Sequence, residues 1–187
     1  RRMEKEKLIN RGEIMIFTLT IILAFLCGSI PSGYLISKKL YGIDISTKGS
    51  GNIGSTNVKR VVGGKASTIT QIIDISKGML PVILGMCLSS RINLPVSKNT
   101  YLSIMAIAAI LGHDYTPFLK FKGGKGVNTT IGAFILIAPI PVLTGMAVHV
   151  ALRFLTSIVS IRSIALGISL PIMSILMKLH ISIIVSA

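Results

Sequence analysis

Residues 46–60, Ser-Thr-Lys-Gly-Ser-Gly-Asn-Ile-Gly-Ser-Thr-Asn-Val-Lys-Arg, gather small polar side chains in a chain that is otherwise mostly apolar. Gly49, Gly51 and Gly54 leave backbone N–H groups open to a ligand. Ser50, Asn52, Thr56 and Asn57 add neutral hydrogen-bonding groups, and Lys48, Lys59 and Arg60 bring positive charge to both ends. Many donors in a compact, net positive frame are what a phosphate requires. The same chemistry returns at Phe121-Lys122-Gly123-Gly124-Lys125-Gly126-Val127. There a helix start near Val127 would add free N–H groups and the positive end of its dipole. His113 and Asp114 stand just before this second loop, with His113 a weaker candidate for proton chemistry. Two such loops predict a site for a phosphorylated substrate.

Two formal motifs do not apply. Gly49, Gly51 and Gly54 spell GxGxxG, and Asp74 follows them, but a dinucleotide fingerprint must sit after a strand in a βαβ unit. Here an apolar helix and a basic loop precede it. The second loop is not a Walker A loop, because Lys125 is followed by Gly126 rather than Ser or Thr.

The elements that must position these loops are membrane helices. The chain has 187 residues, one domain's worth, of which 51% are hydrophobic and 14% charged, against about a quarter charged in an average soluble domain. Mean hydropathy is +0.76. The formal charge of +14 comes from 20 Lys and Arg against 6 Asp and Glu. Those charges lie between long apolar runs, so positive cytoplasmic loops and anionic substrates account for them, not nucleic acid. Cys27 and Cys87 sit inside apolar runs and read as small hydrophobes. The three His form no Cys/His cluster of zinc-site spacing.

In chain order, residues 1–13 read as a flexible polar tail, and the uncharged run Ile14–Ser37, 24 residues long, as the first membrane helix. Its end, Gly28-Ser29-Ile30-Pro31-Ser32-Gly33, is polar at membrane depth: either a packing kink or a cavity lining. Residues 38–65 hold six Lys and Arg (Lys38, Lys39, Lys48, Lys59, Arg60, Lys65) and one acid, Asp44, which predicts a cytoplasmic loop. Residues 66–90 form a second helix, kinked at Pro81, with Asp74 and Lys77 on one face as an ion pair that locks helices. Residues 99–112 are apolar but short. Residues 127–152 read as one helix kinked at Pro139 and Pro141, and 163–177 as another. Ile181–Ala187 is an apolar stub. The expected fold is an all-α, polytopic membrane helical bundle with five to six membrane segments.

Several blocks together resemble the bacterial acyl-phosphate-dependent glycerol-3-phosphate acyltransferases. They are Gly28-Ser29-Ile30-Pro31-Ser32-Gly33, Gly49 to Asn57 with Arg60, Asp74 with Lys77-Gly78, Gly112-His113 with Pro117, Phe121 to Thr129, and Val159-Ser160 with Ser163. Order and spacing agree from residue 15 to about 187. The resemblance implies a seven-helix membrane enzyme that transfers a fatty acyl chain from acyl phosphate to glycerol 3-phosphate. The products are lysophosphatidic acid and phosphate, and no metal or other cofactor is used. By motif match, Ser50, Arg60 and Lys125 are the catalytic candidates. Gly49, Gly51, Asn52, Gly54, Thr56 and Asn57, with Lys122, Gly123, Gly124 and Gly126, are expected to hold substrate phosphate. Ser160 is a weaker candidate.

Its expected setting is the bacterial cytoplasmic membrane, with the active site facing the cytoplasm. Its partners would be the two substrates and the bilayer, and the resemblance allows a contact with the enzyme that makes acyl phosphate. The chain departs from the family at Ser46, where relatives carry Arg, and at Ser157, where a basic residue is common; Lys48, and Arg153 or Arg162, stand near to compensate. Relatives also continue into a His-Arg-Glu-Asn-type segment after the last helix. Residues 14–187 therefore read as one acyltransferase domain that stops before that segment. An impaired or truncated homologue that binds lipid phosphates, and an anion transporter, remain as alternatives.

Overall fold

The computed structural model describes the backbone of residues 2–187 and the side chains from Arg11 onward. Helix α1 spans Arg2–Ser29, α2 Ser32–Tyr41, α3 Ser55–Val61, α4 Gly64–Ser89 and α5 Lys98–Asp114. They are followed by α6 Val127–Phe134, α7 Pro139–Ala151, α8 Val159–Leu176 and α9 Ile181–Ser186. No strand occurs among the described residues, which removes the setting a dinucleotide fingerprint needs. Residues 2–13, expected as a polar tail, continue α1 backwards. Extending a helix already nucleated in the membrane costs little, and Glu, Lys and Arg are good helix formers. Arg1, and the side chains of residues 1–10, lie outside the described residues.

Among the described residues, four segments are long and apolar enough to cross a membrane: Arg11–Ser29, Gly64–Ser89, Lys98–Leu119 and Val159–Leu176. A fifth apolar segment, Pro139–Phe154, is shorter. Large apolar side chains face outward along these helices, Leu19, Ile22 and Leu26 on α1 and Ile164, Ile168 and Ile175 on α8 among them, as a lipid-facing surface demands. Two expected single helices are broken. The run Ile14–Ser37 divides at Ile30-Pro31, because proline brings no N–H to the ladder and pushes Ile30 out of the helical region. The 127–152 segment parts into α6 and α7, and α7 begins on Pro139 at a position that tolerates proline. Pro81, by contrast, is absorbed within a continuous α4.

Without a strong hydrophobic force between helices in lipid, close backbone approach does the packing. Gly28 of α1 lies on the backbone of Ala109 in α5, and Gly112 of α5 lies on the backbone of Phe25 in α1. The same reciprocal arrangement joins α4 and α6: Gly78 faces the Thr129 carbonyl and Gly132 faces that of Ile75. A methyl group at any of the four would meet backbone, which cannot move aside as a side chain can. Gly132→Val is expected to part α6 from α4 and cost about 1–3 kcal/mol, read as a lowered thermal midpoint of the purified protein. A core of Val82, Leu102, Phe134, Val142, Leu166 and Leu170 then ties α4 through α8 together. A separate cluster, Ile36, Ile45, Ile53, Val58 and Ala66, seats the polar loop before α3 against α2 and α4.

Candidate functional site

The loop between α2 and α3 is built around one side chain. Asn57, on the first turn of α3 and only 2% exposed, donates from Nδ2 to the carbonyls of Lys48 and Asn52, both at 2.9 Å, and of Ile45 at 3.3 Å. Its Oδ1 accepts the Ser50 N–H at 3.0 Å. One amide thus closes residues 45–52 into a compact turn. Gly49 and Gly51 adopt φ of 60° and 72°, left-handed conformations that glycine takes without strain, and a Cβ on Gly49 would collide with Asn57 itself. Asn52 Oδ1 accepts the Gly54 N–H at 2.9 Å. Asp44 caps the short turn Ile45–Thr47 by accepting the Ser46 N–H, and the Ser46 hydroxyl holds the Asp44 carboxyl below the usual carboxylate range, helped by Lys38. Asn57→Ala strips partners from several backbone groups. It is expected to cost about 1–3 kcal/mol and to speed hydrogen exchange in residues 45–52 while leaving α1 and α5 protected.

Behind this loop lies a buried polar floor. Asp74 and Lys77 of α4 are 1% and 3% exposed and pair at 3.0 Å. The Ser32 hydroxyl donates to Asp74 Oδ1 at 2.6 Å, and Lys77 Nζ donates to the Ile30 carbonyl at 2.6 Å. The break before Pro31 is what frees that carbonyl. The expected ion pair therefore pins α4 to the α1–α2 junction. His113, on the last turn of α5, places Nδ1 3.6 Å from the same Asp74 oxygen, without a hydrogen bond.

The second glycine loop folds back onto α5. The Gly123 N–H donates to the Asp114 carbonyl and the Gly124 N–H to the His113 carbonyl, each at 3.0 Å. Both glycines are pressed against the residues they bond, Gly124 on the His113 ring and Gly123 on the end of α5. Their amides are thus used internally, where the sequence reading leaves them bare for phosphate. Thr116 adds a 2.6 Å bond from its hydroxyl to the Ser29 carbonyl, so the loop is fixed to α1 as well. What the loop presents outward is Lys125, whose Nζ donates to Ser160 Oγ at 3.2 Å across to the start of α8. Asn128, on the first turn of α6, donates to Ser55 Oγ at 3.0 Å and ties the two loops together.

Between them opens a cavity of about 890 Å³ at one end of the bundle. It brings together Ser50, Asn52, Gly54, Thr56, Asn57 and Arg60 from the first loop with Lys125 and Gly126 from the second, and reaches His113 and Ser160. Gly49, Gly51, Lys122, Gly123 and Gly124 do not line it: the first two turn the first loop around Asn57, and the last two pack on α5. Among the described residues, five cations face the space, Lys59, Arg60, Lys125, Arg153 and Arg162. The lining carboxylate, Asp74, is already paired with Lys77. The cavity is therefore electropositive, rich in hydroxyl and amide groups, and suited to anions. Ser163, which belongs to the Val159-Ser160 block, lines it too, as do Gln71, His149 and Ser67, which the sequence alone does not single out. Gln71 and His149 lie on apolar helices, where helical phase rather than local composition turns them inward.

The glycerol-3-phosphate acyltransferase family model matches residues 18–187. A glycerol-3-phosphate acyltransferase of Clostridium acetobutylicum is 62% identical over 174 residues, which cover 93% of this chain and 88% of that one. One from Solidesulfovibrio magneticus is 42% identical, over 85% of this chain and 76% of that one. Among solved structures, the glycerol 3-phosphate form of PlsY (YgiH), an integral membrane glycerol 3-phosphate acyltransferase, superimposes with a TM-score of 0.81. It is 31% identical and the match covers 91% of this chain and 82% of that one. A lysophosphatidic acid form of the same enzyme gives 0.79.

Proposed function

This chain belongs to the glycerol-3-phosphate acyltransferase family, and from that premise we propose that its cavity transfers a fatty acyl group from acyl phosphate to glycerol 3-phosphate. The observation that carries this reading is the meeting of Arg60 and Lys125, with the hydroxyl and amide groups of both loops, around one space at the end of a membrane bundle. Both substrates bear phosphate and one bears a long tail, so the reaction needs paired anion sites beside lipid.

A glycerol hydroxyl oxygen attacks the acyl carbonyl carbon, a new C–O ester bond forms, and the carbonyl–phosphate C–O bond breaks. The hydroxyl proton passes to a phosphate oxygen, so lysophosphatidic acid and inorganic phosphate leave with charge and atoms balanced. Activation comes from the substrate's own leaving group, so the protein's part is to hold the two reactants together and to stabilise charge. Ser50, Asn52 and Thr56 orient hydroxyl and phosphate, and Arg60 and Lys125 neutralise charge on the oxygens. Asn57 acts through the loop it closes. The site faces the cytoplasm of the bacterial membrane, in keeping with the basic 38–65 loop beside it.

The test is to supply the reconstituted protein with palmitoyl phosphate alone and then with glycerol 3-phosphate. The expected result is no burst of phosphate in the first stage and one phosphate per lysophosphatidic acid in the second. Equal transfer from palmitoyl-CoA would overturn the choice of donor.

A further inference from the structure

The cavity has two unlike walls. The wall made by the first loop, α3 and α4 presents only polar groups and glycine: Ser50, Asn52, Thr56, Arg60, Ser67 and Gln71 are representative. All the apolar lining comes from the other wall, Val127 and Ile131 of α6, Met146 and Val150 of α7, and Ile158, Val159 and Leu166 at α8. Set into that apolar wall is a second group of bases: His149 on α7, Arg153 in the α7–α8 connection and Arg162 on α8. His149 Nδ1 and Arg162 Nε are shielded from solvent and have no hydrogen-bond partner. Buried polar atoms in folded proteins almost always have partners, and with His113 Nδ1 three unpartnered nitrogens belong to residues that line this one cavity, which points to a ligand. None of the three belongs to the glycine-loop motifs at 49–60 or 121–129, and none forms an ion pair with an acid among the described residues.

We propose that His149, Arg153 and Arg162 form a distinct anion seat that takes the phosphate end of the tailed substrate and thereby sorts the two phosphates in the cavity. The assignment rests on the acyl-phosphate reading above. A phosphate monoester with no apolar part gains nothing from the α6–α8 wall, so it settles against the polar one. An amphipathic phosphate satisfies both features of the α7–α8 wall at once: its head meets the three bases, and the first carbons of its chain meet Met146, Val150 and Leu166. Lys125, bonded to Ser160 at the start of α8, stands between the two seats, where the acyl carbon must pass from one phosphate-bearing molecule to the other.

The experiment compares the unaltered protein with Arg153→Gln and Arg162→Gln, singly and together, in reconstituted vesicles. Arg153 is exposed, so its replacement leaves the packing intact, and Arg162→Met, which keeps the apolar stem and removes the charge, serves if Arg162→Gln fails to fold. Palmitoyl phosphate and glycerol 3-phosphate are varied in turn. The expected result is an approximately tenfold rise in KM for palmitoyl phosphate in the double variant, with KM for glycerol 3-phosphate within twofold. A rise for glycerol 3-phosphate instead, or no change in either, overturns the seat. Binding of dodecyl phosphate, which cannot transfer an acyl group, is measured by calorimetry in parallel. It should weaken at least fivefold in the double variant, and unchanged binding overturns the seat. If the unaltered protein turns over no palmitoyl phosphate, the functional reading fails, and dodecyl phosphate binding still decides whether the seat exists.

Discussion

Lys125→Ala is expected to lower kcat/KM for acyl transfer by about 10²–10³-fold, the usual cost of removing one charge-stabilising donor from a reacting oxyanion. Lys125 is the cation best placed for this. It extends from a loop fixed to α1 and α5, and it crosses to Ser160 on the far side of the cavity at 3.2 Å. On the proposed acyl-phosphate reaction, negative charge grows on the leaving phosphate oxygen as the carbonyl–phosphate bond breaks, and a lysine ammonium follows that charge as a compact point donor. The side chain holds no part of the core, so the loss must appear in turnover and not in stability. Phosphate release and thermal unfolding of the same preparation separate the two. Lys125→Arg should recover part of the rate, because it keeps the charge and changes the geometry. A fall of less than threefold in Lys125→Ala would remove the residue from the chemistry.

The second large effect is structural. Lys77→Ala is expected to destabilise the protein by about 3–5 kcal/mol, since it leaves the Asp74 carboxylate buried without its cation. Only the Ser32 hydroxyl, at 2.6 Å, would remain to satisfy it. The Ile30 carbonyl would keep only the Ser32 N–H at 3.0 Å, and the α1–α2 break would lose the contact that holds it to α4. Replacing both charges, Asp74→Asn with Lys77→Met, should recover at least half of the loss, because no unpaired charge is then buried. Thermal unfolding of the three proteins checks this. If the double variant is as unstable as Lys77→Ala, side-chain volume rather than charge carries the effect.

Much of this was legible in the sequence. Apolar runs separated by basic loops gave the membrane bundle, and the spacing of Asp74 and Lys77 placed them on one face of α4. Ser50, Asn52, Thr56, Arg60 and Lys125 stood out because small polar and basic residues are conspicuous in an apolar chain, and all five line the cavity. The break at residues 135–138 reads from sequence as a kink, and the one at Ile30 as either a packing kink or a cavity lining. A proline marks a weakness in a helix, but whether the helix bends or parts depends on what takes up the freed backbone groups, as Lys77 does for Ile30. Asn57 appeared as a ligand-binding amide and proves to be the group that closes its own loop. Gly123 and Gly124 appeared to bare their amides and instead spend them on α5. In each case the residue type was informative and its partner was not, because the partner comes from a distant element. His149 and Gln71 show the same limit from the other side: nothing local distinguishes an inward-facing polar residue on an apolar helix from a solvated one.

The most direct test of the cavity as the reaction site uses a cysteine at Ser157, an exposed residue on its rim, in a Cys87→Ser background with Ser90→Cys as a control at the other end of α4. Maleimide labelling is timed with and without saturating glycerol 3-phosphate and dodecyl phosphate. Occupancy of the cavity should slow labelling at position 157 at least tenfold and leave position 90 unchanged. Equal labelling at position 157 with both ligands present and bound would place the substrates elsewhere and contradict the account.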